Sequence, residues 1–401
     1  MGSGCCKADV ERNPDGSLKE PQTEEQVKND PADLRKWAKD GDAVELERLL
    51  KRMEMKAIRS GAKKSEGLPE EEGNTALHFA ASRGSLSCCE LLVQYGAASN
   101  CRNAKGATPL HLALEAGRKH VAAFLLEHAA DINMQDSSGC SPLLCSMLSG
   151  RRRLTAWLLA RCGATLRAAA TDKSGLGPVT LAARHGWWDL MEQLLGLVAD
   201  TATVLNTRSK EGETALGWVL KYGAAGLLAG EELLRLVSLL LERGSSPVLP
   251  LFREQIPPPC LAAATGQPQV LAALRSRHAS LDPDVCRDSC GRSVLHYAAA
   301  KGHEEMGVLL QSELGAEECL TLTDEGGNTP IHLAAQRGHD DVARALLQRC
   351  ADPSAAIMTP NGAGVTVYHL FLRAGPKKDS QEGVLWSLEK ISAEQARMPI
   401  K

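Results

Sequence analysis

Apolar residues recur along this chain at helical spacing, in paired segments. The first segment of each pair stops at a glycine: Gly41, Gly84, Gly117, Gly150, Gly186, Gly223, Gly266, Gly302, Gly338 or Gly375. These glycines stand 43, 33, 33, 36, 37, 43, 36, 36 and 37 residues apart, a base period of 33 with small insertions. The second segment ends in a leucine pair, as at Leu91-Leu92, Leu125-Leu126, Leu158-Leu159, Leu309-Leu310 and Leu346-Leu347. A polar or glycine-bearing stretch then leads to the next copy. The pattern predicts two short antiparallel helices and a turn per copy. One such pair cannot bury its leucine face, so neighbouring copies must complete the core.

The first segments also share specific residues. Thr108-Pro109-Leu110-His111-Leu112-Ala113 and Thr329-Pro330-Ile331-His332-Leu333-Ala334 repeat one signature, and Thr75-Ala76-Leu77-His78-Phe79-Ala80 and Ser293-Val294-Leu295-His296-Tyr297-Ala298 are close to it. Ala129-Ala130-Asp131 and Cys350-Ala351-Asp352 approximate a common tail. At this period the signature resembles the ankyrin-repeat family over roughly residues 32–390. The resemblance implies an all-α solenoid of about ten helix-turn-helix units with atypical end caps, read as one elongated domain. It also implies that the histidine bridges backbone groups of neighbouring turns.

The chemistry of one unit agrees. Proline in the first turn of a helix loses no hydrogen bond, and the threonine before it can cap exposed N–H groups. Ala-Ala lets helices approach closely, and glycine suits a left-handed helix end. The first unit, Leu34 to Leu50, lacks the signature and carries charges; the last reads Thr366-Val367-Tyr368-His369. Both are expected of caps that face water. Insertions are expected near 52–72, 224–233 and 245–259, with a flexible tether at 1–31 and a tail at 391–401. The unit at Pro257-Pro258-Pro259-Cys260 has lost both threonine and histidine.

Composition narrows the function. A net charge of −3 and a pI near 6.4 do not suggest nucleic acid. Aromatics make up only 3% of residues, so alanine and leucine must carry the core. No apolar run reaches the roughly 18 residues a membrane helix needs. No secretory signal is seen, so a reducing cytoplasm is the expected compartment. The 13 cysteines, Cys162, Cys319 and Cys350 among them, are scattered and read as small, inert thiols rather than as a disulfide framework. Cys286, Cys290 and His296 fit no tetrahedral zinc spacing, so no metal is expected. No nucleophile elbow, phosphate loop or kinase-like set occurs, and no cofactor or catalytic residue is expected.

Three features bear on partners. First, Met1-Gly2-Ser3-Gly4-Cys5-Cys6 reads as an N-terminal acylation tip. Gly2 is the myristoylation position and Cys5 and Cys6 are palmitoylation positions, although Cys6 stands where the stricter pattern has Ser or Thr. One acyl chain holds a membrane marginally and two hold it stably. Second, basic residues fall at four successive helix–helix turns: Arg83, then Arg118 and Lys119 with His120, then Arg151, Arg152 and Arg153, then Arg184. Stacked, they read either as a ridge for an acidic partner or anionic lipid head groups, or as a solvated rim. Third, Trp187 and Trp188 follow Gly186, where other units are polar. Neighbouring helical residues diverge by about 100°, so one ring is expected to be exposed as a protein-binding anchor, with packing under Val198–Asn206 as the alternative. Trp157 replaces Phe124 and reads as core. The run to Asn133 resembles ankyrin asparagines that an oxygenase hydroxylates; an ordinary turn asparagine is the other reading.

The expected function is therefore a non-catalytic protein–protein scaffold or adaptor, a monomer, tethered to a cytoplasmic membrane face by its acylated tip. The alternative is a soluble cytosolic or nuclear regulator that inhibits an enzyme or transcription factor. A ubiquitin-ligase substrate receptor ranks lower, because Leu385-Trp386-Ser387-Leu388 is not followed by the Cys or Leu-Pro-x-Pro of such a box.

Overall fold

Local chemistry starts each first helix. In the computed structural model, which describes residues 31–60, 73–228, 230–277, 279–282, 286–314, 322–350 and 352–374, Thr75, Thr108, Ser293 and Thr329 precede Ala76–Arg83, Pro109–Glu115, Val294–Lys301 and Pro330–Arg337 with extended backbone. Nδ1 of the histidine three residues on accepts the backbone N–H of the capping residue, at 3.1 Å for His78 and 3.2 Å for His296. An accepting Nδ1 places the ring hydrogen on Nε2. That N–H donates to the next repeat, to Ala107 O at 3.0 Å from His78 and to Asn328 O at 3.0 Å from His296. One side chain thus caps its own helix and ties it to its neighbour.

Helix ends follow from the same economy. Gly41, Gly84, Gly117, Gly150, Gly186, Gly266, Gly302 and Gly338 all close first helices in the left-handed region, with φ from +68° to +90°. Gly223 departs from the expectation. Helix Ala215–Ala224 runs through it, and Gly226 at φ +71° makes the turn three residues later. Gly223 serves packing instead, since a Cβ there would stand 2.7 Å from Leu233 Cδ2. Gly375, residues 376–401, residues 61–72 and Cys319 lie outside the described residues.

The chain divides into two compact units, Met1–Ser137 and Ser138–Lys401. In the first, the described helix pairs are Pro31–Asp40 with Ala43–Ser60, Ala76–Arg83 with Leu86–Gln94, and Pro109–Glu115 with Lys119–Glu127. In the second they are Pro142–Leu148 with Arg152–Cys162, Pro178–Arg184 with Trp188–Leu197, Ala215–Ala224 with Gly230–Glu242, Pro258–Ala263 with Pro268–Arg275, Val294–Lys301 with Glu304–Leu314, and Pro330–Arg337 with Asp340–Gln348, followed by Val367–Ala374. Short helices Thr201–Asn206 and Pro353–Met358 sit in longer connections. The fold is all-α; among the described residues the only strand-like pairings are isolated bridges such as Leu251 with Ile256. Within each unit first helices pack in one row and second helices in another.

Packing holds these rows together, because helices this short are marginal alone. Ala80, Ala113, Ala182, Ala262, Ala298 and Ala334 occupy one equivalent position of the first helix and are fully buried. Leu46, Leu77, Leu110, Leu143, Leu181 and Leu216 are buried with them. Few aromatics are needed. Trp157, expected in the core, is only half-buried, as is Phe124 at the matching position. The described cysteines are free thiols, most of them buried. Burial pushes Cys89 up to about 12 and Cys350 up to about 11, which suppresses the reactive thiolate at neutral pH.

Candidate protein-binding surface

The turns that precede the first helices are fastened to one another by single backbone bonds. In the second unit Lys173 N donates to Ser138 O at 2.8 Å, Lys210 N to Ser174 O at 2.8 Å, and Phe252 N to Gly212 O at 2.9 Å. Ser289 N then donates to Glu254 O at 3.0 Å, Glu325 N to Cys290 O at 2.9 Å, and Gly362 N to Gly326 O at 2.8 Å. In the first unit Ser137 N donates to Lys105 O at 2.8 Å. Side chains stiffen individual turns. Asp288 accepts the Tyr297 hydroxyl at 2.7 Å and Arg292 Nε at 2.8 Å. Burial alone would raise the Asp288 carboxyl, but these donors and the Arg292 amide outweigh it and hold the group below the usual carboxylate range. The result is a row of tips and first helices joined turn to turn by backbone bonds.

The basic turn residues prove partly structural. Arg118 Nε donates back to Ser82 O of the preceding repeat at 3.2 Å. Tyr222 Oη does the same to Arg184 O at 2.9 Å, and His303 Nε2 to Ala264 O at 2.9 Å. Each accepting carbonyl lies two residues before a turn glycine, where a helix end leaves carbonyls without partners. The close approach also explains the glycine: a Cβ on Gly266 would stand 2.4 Å from His303 Nδ1. Replacing Tyr222 by Phe removes one such bond and is expected to lower stability by about 1 kcal/mol, read as a shifted urea midpoint with unchanged slope.

The remaining expected site residues are distributed as follows. Arg83, Arg118 and Lys119 are exposed in the first unit. In the second, Arg151, Arg152 and Arg153 are exposed, Arg152 pairs with Asp189 at 2.9 Å, and Arg184 pairs with buried Glu213 at 3.6 Å. The exposed Arg152–Asp189 pair contributes little to stability. Trp187 is 8% exposed and stacks on His185 with ring centres 4.6 Å apart, so it offers no free ring. Trp188 is half-buried, edge-on to Tyr222 at 5.3 Å. Asn133 is half-buried, and its N–H donates to Asp131 Oδ1 at 2.8 Å in the turn. Gly2, Cys5 and Cys6 lie outside the described residues.

A second aromatic group was not singled out by sequence reasoning. Trp218 packs edge-to-face with Phe252 at 5.5 Å. The Lys221 ammonium lies 4.6 Å from the Trp218 ring centre and 4.5 Å from that of Phe252. The Arg184 guanidinium lies 5.9 Å from Trp218. The available signal was that Trp218 stands where other first helices carry Leu112, Leu181, Leu261 and Leu333, although Phe79 and Tyr297 show that the position also takes an aromatic ring. Among the described residues no group of His, Cys, Asp and Glu is arranged to hold a metal, and no helix is long and apolar enough to cross a membrane.

No curated protein matches the chain. The family model for ankyrin repeats, in three copies, matches residues 38–136 and 260–357. Between these matches, Pro142–Leu148, Pro178–Arg184 and Ala215–Ala224 continue the same helix-pair pattern. Ankyrin repeats are in general non-catalytic modules for binding other proteins, and with its signature, histidine bridges and helix pairs this chain belongs to the ankyrin-repeat family.

Proposed function

We propose that this protein is an adaptor that holds a partner protein at a cytoplasmic membrane face, with the repeats as the binding part and an acylated N-terminal tip as the anchor. The observation that carries the binding role is the bonded row of tips, from Ser138–Lys173 to Gly326–Gly362, which presents outward side chains on a backbone that need not reorganise. The anchor rests on Gly2 with adjacent Cys5 and Cys6, a pairing that would supply the two acyl chains stable membrane attachment needs. The basic residues Arg151 and Arg153, exposed and without ion pairs among the described residues, suit an anionic surface nearby.

Fractionation and intact mass of the native chain against Gly2→Ala and Cys5→Ala/Cys6→Ala variants test the anchor. Acyl mass on the native chain, with loss of membrane association in the variants, is the expected result. An unmodified chain that stays in the soluble fraction would overturn the tether and leave the alternative, a soluble regulator acting through the same repeat surface.

A further inference from the structure

We propose that the first-helix face around Trp218 and Lys221 docks an acidic linear segment of a partner protein, its carboxylates meeting Lys221 and an apolar residue covering the exposed part of Trp218. This deepens the reading of the repeats as protein-binding and rests on it.

The face is built at some expense to the fold. Trp218 is half-buried at a position that several repeats fill with leucine and two with half-buried Phe79 and Tyr297, and its indole N–H is enclosed without an acceptor. A buried donor left unpaired is destabilising. Beside it the connection turns tightly, with Leu251 and Ile256 exchanging both backbone bonds at 2.8 Å. Two non-glycine residues of that turn, Phe252 at φ +59° and Gln255 at φ +51°, adopt left-handed backbone, which is strained and persists where the surroundings enforce it. The strained turn places the Phe252 ring against Trp218 and under Lys221. Neither the unpaired indole nor the strain is needed to close the core, which the neighbouring repeats close with Leu181 and Leu261.

Charge selects the partner. Glu211 is taken by Arg253, and Glu213 by Arg184. Lys221 is exposed and has no carboxylate partner among the described residues; its ammonium rests on two aromatic faces. Arg208 reaches only the Gln255 amide oxygen, at 3.5 Å, and its Nε has no partner. The local surplus is therefore cationic in a chain whose net charge is −3. Flat rings beside basic groups also suit single-stranded nucleic acid, but Glu211 and Glu213 among these cations oppose a polyphosphate. A peptide can place its carboxylates on Lys221 alone.

Random peptide display on the full chain, followed by titration of an enriched peptide in synthetic form, tests this. The selected peptides are expected to carry Asp or Glu beside a bulky apolar residue. Lys221→Glu and Trp218→Leu should each weaken binding about tenfold or more, while Lys301→Glu on another first helix leaves it unchanged. Urea midpoints should stay close to wild type, because Lys221 is exposed and Leu112, Leu181, Leu261 and Leu333 stand at the tryptophan position in other repeats. Enriched peptides without acidic bias would overturn the inference. So would tighter binding of a thymidine oligonucleotide, or peptide binding that survives both substitutions; in that last case the protein-binding reading stands and the site lies elsewhere. Failure to enrich any peptide would count against both.

Discussion

Acidification from pH 7 to 4 is expected to destabilise the second unit by on the order of 3 kcal/mol through His296 alone. Burial lowers this histidine from 6.5 to about 4, opposed by the Asn328 carbonyl bond and by Asp324 and Asp288, and reinforced by Arg287. Its Nδ1 faces the Ser293 N–H, a donor that opposes a second ring proton there. Above pH 6.5 the ring is neutral whether folded or unfolded, and the stabilisation is complete. Between 6.5 and about 4 the unfolded chain binds a proton that the folded chain does not, so stability falls steadily as pH drops. Below about 4 both forms are charged and the loss levels off. His78 in the first unit and His332 in the second are lowered in the same direction, mainly by burial, so both units share the trend. Asp288, held below its ordinary value of 3.8, releases its contribution only at lower pH, so the two windows separate. Urea titrations at several pH values measure the slope. A His296→Gln variant should start less stable at pH 7 and lose less on acidification; an unchanged slope in that variant would refute the assignment.

Gly327→Ala is expected to cost about 3 kcal/mol, the left-handed penalty and a displaced backbone bond together. Gly327 has φ +71°, and a Cβ there would stand 2.5 Å from Gly362 N and 3.2 Å from Asn361 C. The obstructing atoms are backbone and cannot rotate away. They also belong to the tip bond from Gly362 N to Gly326 O at 2.8 Å, so relief of the clash breaks the row of tips. Gly364→Ala is the matched comparison, because Gly364 has φ +74° but nothing within 4 Å of the added carbon. It should cost only about 1 kcal/mol. Urea midpoints give the difference, and hydrogen exchange at the Gly362 amide should accelerate in the Gly327 variant alone. Equal costs would mean that close approach plays no part.

The helices were legible because their signals are local. Apolar spacing, Thr or Ser three residues before His, proline in the first turn and a closing glycine all act within one or two turns of chain, and the structure places helices at those segments. Gly223 is not the helix end because the helix continues to Ala224 and Gly226 makes the turn, and Leu233, ten residues away, required the missing side chain. Trp157 takes the place of Phe124 in the repeat, and both are half-buried.

The candidate surface was legible only in part. Basic turns were visible as composition, yet Arg118 reaches Ser82 across 36 residues and Arg184 meets Glu213 across 29, distances that no local pattern encodes. Of the adjacent tryptophans, helical geometry required the rings to diverge, while the stack on His185 decided that Trp187 turns inward. Periodicity and capping chemistry by themselves determined the repeat, its all-α class and its family, because those forces act between residues a few positions apart. The bonded row of tips, the carbonyl caps lent from one repeat to the next, and the meeting of Trp218 with Lys221 and Phe252 were decided by tertiary structure, because each depends on the distance between neighbouring repeats, which the intervening insertions and packing set.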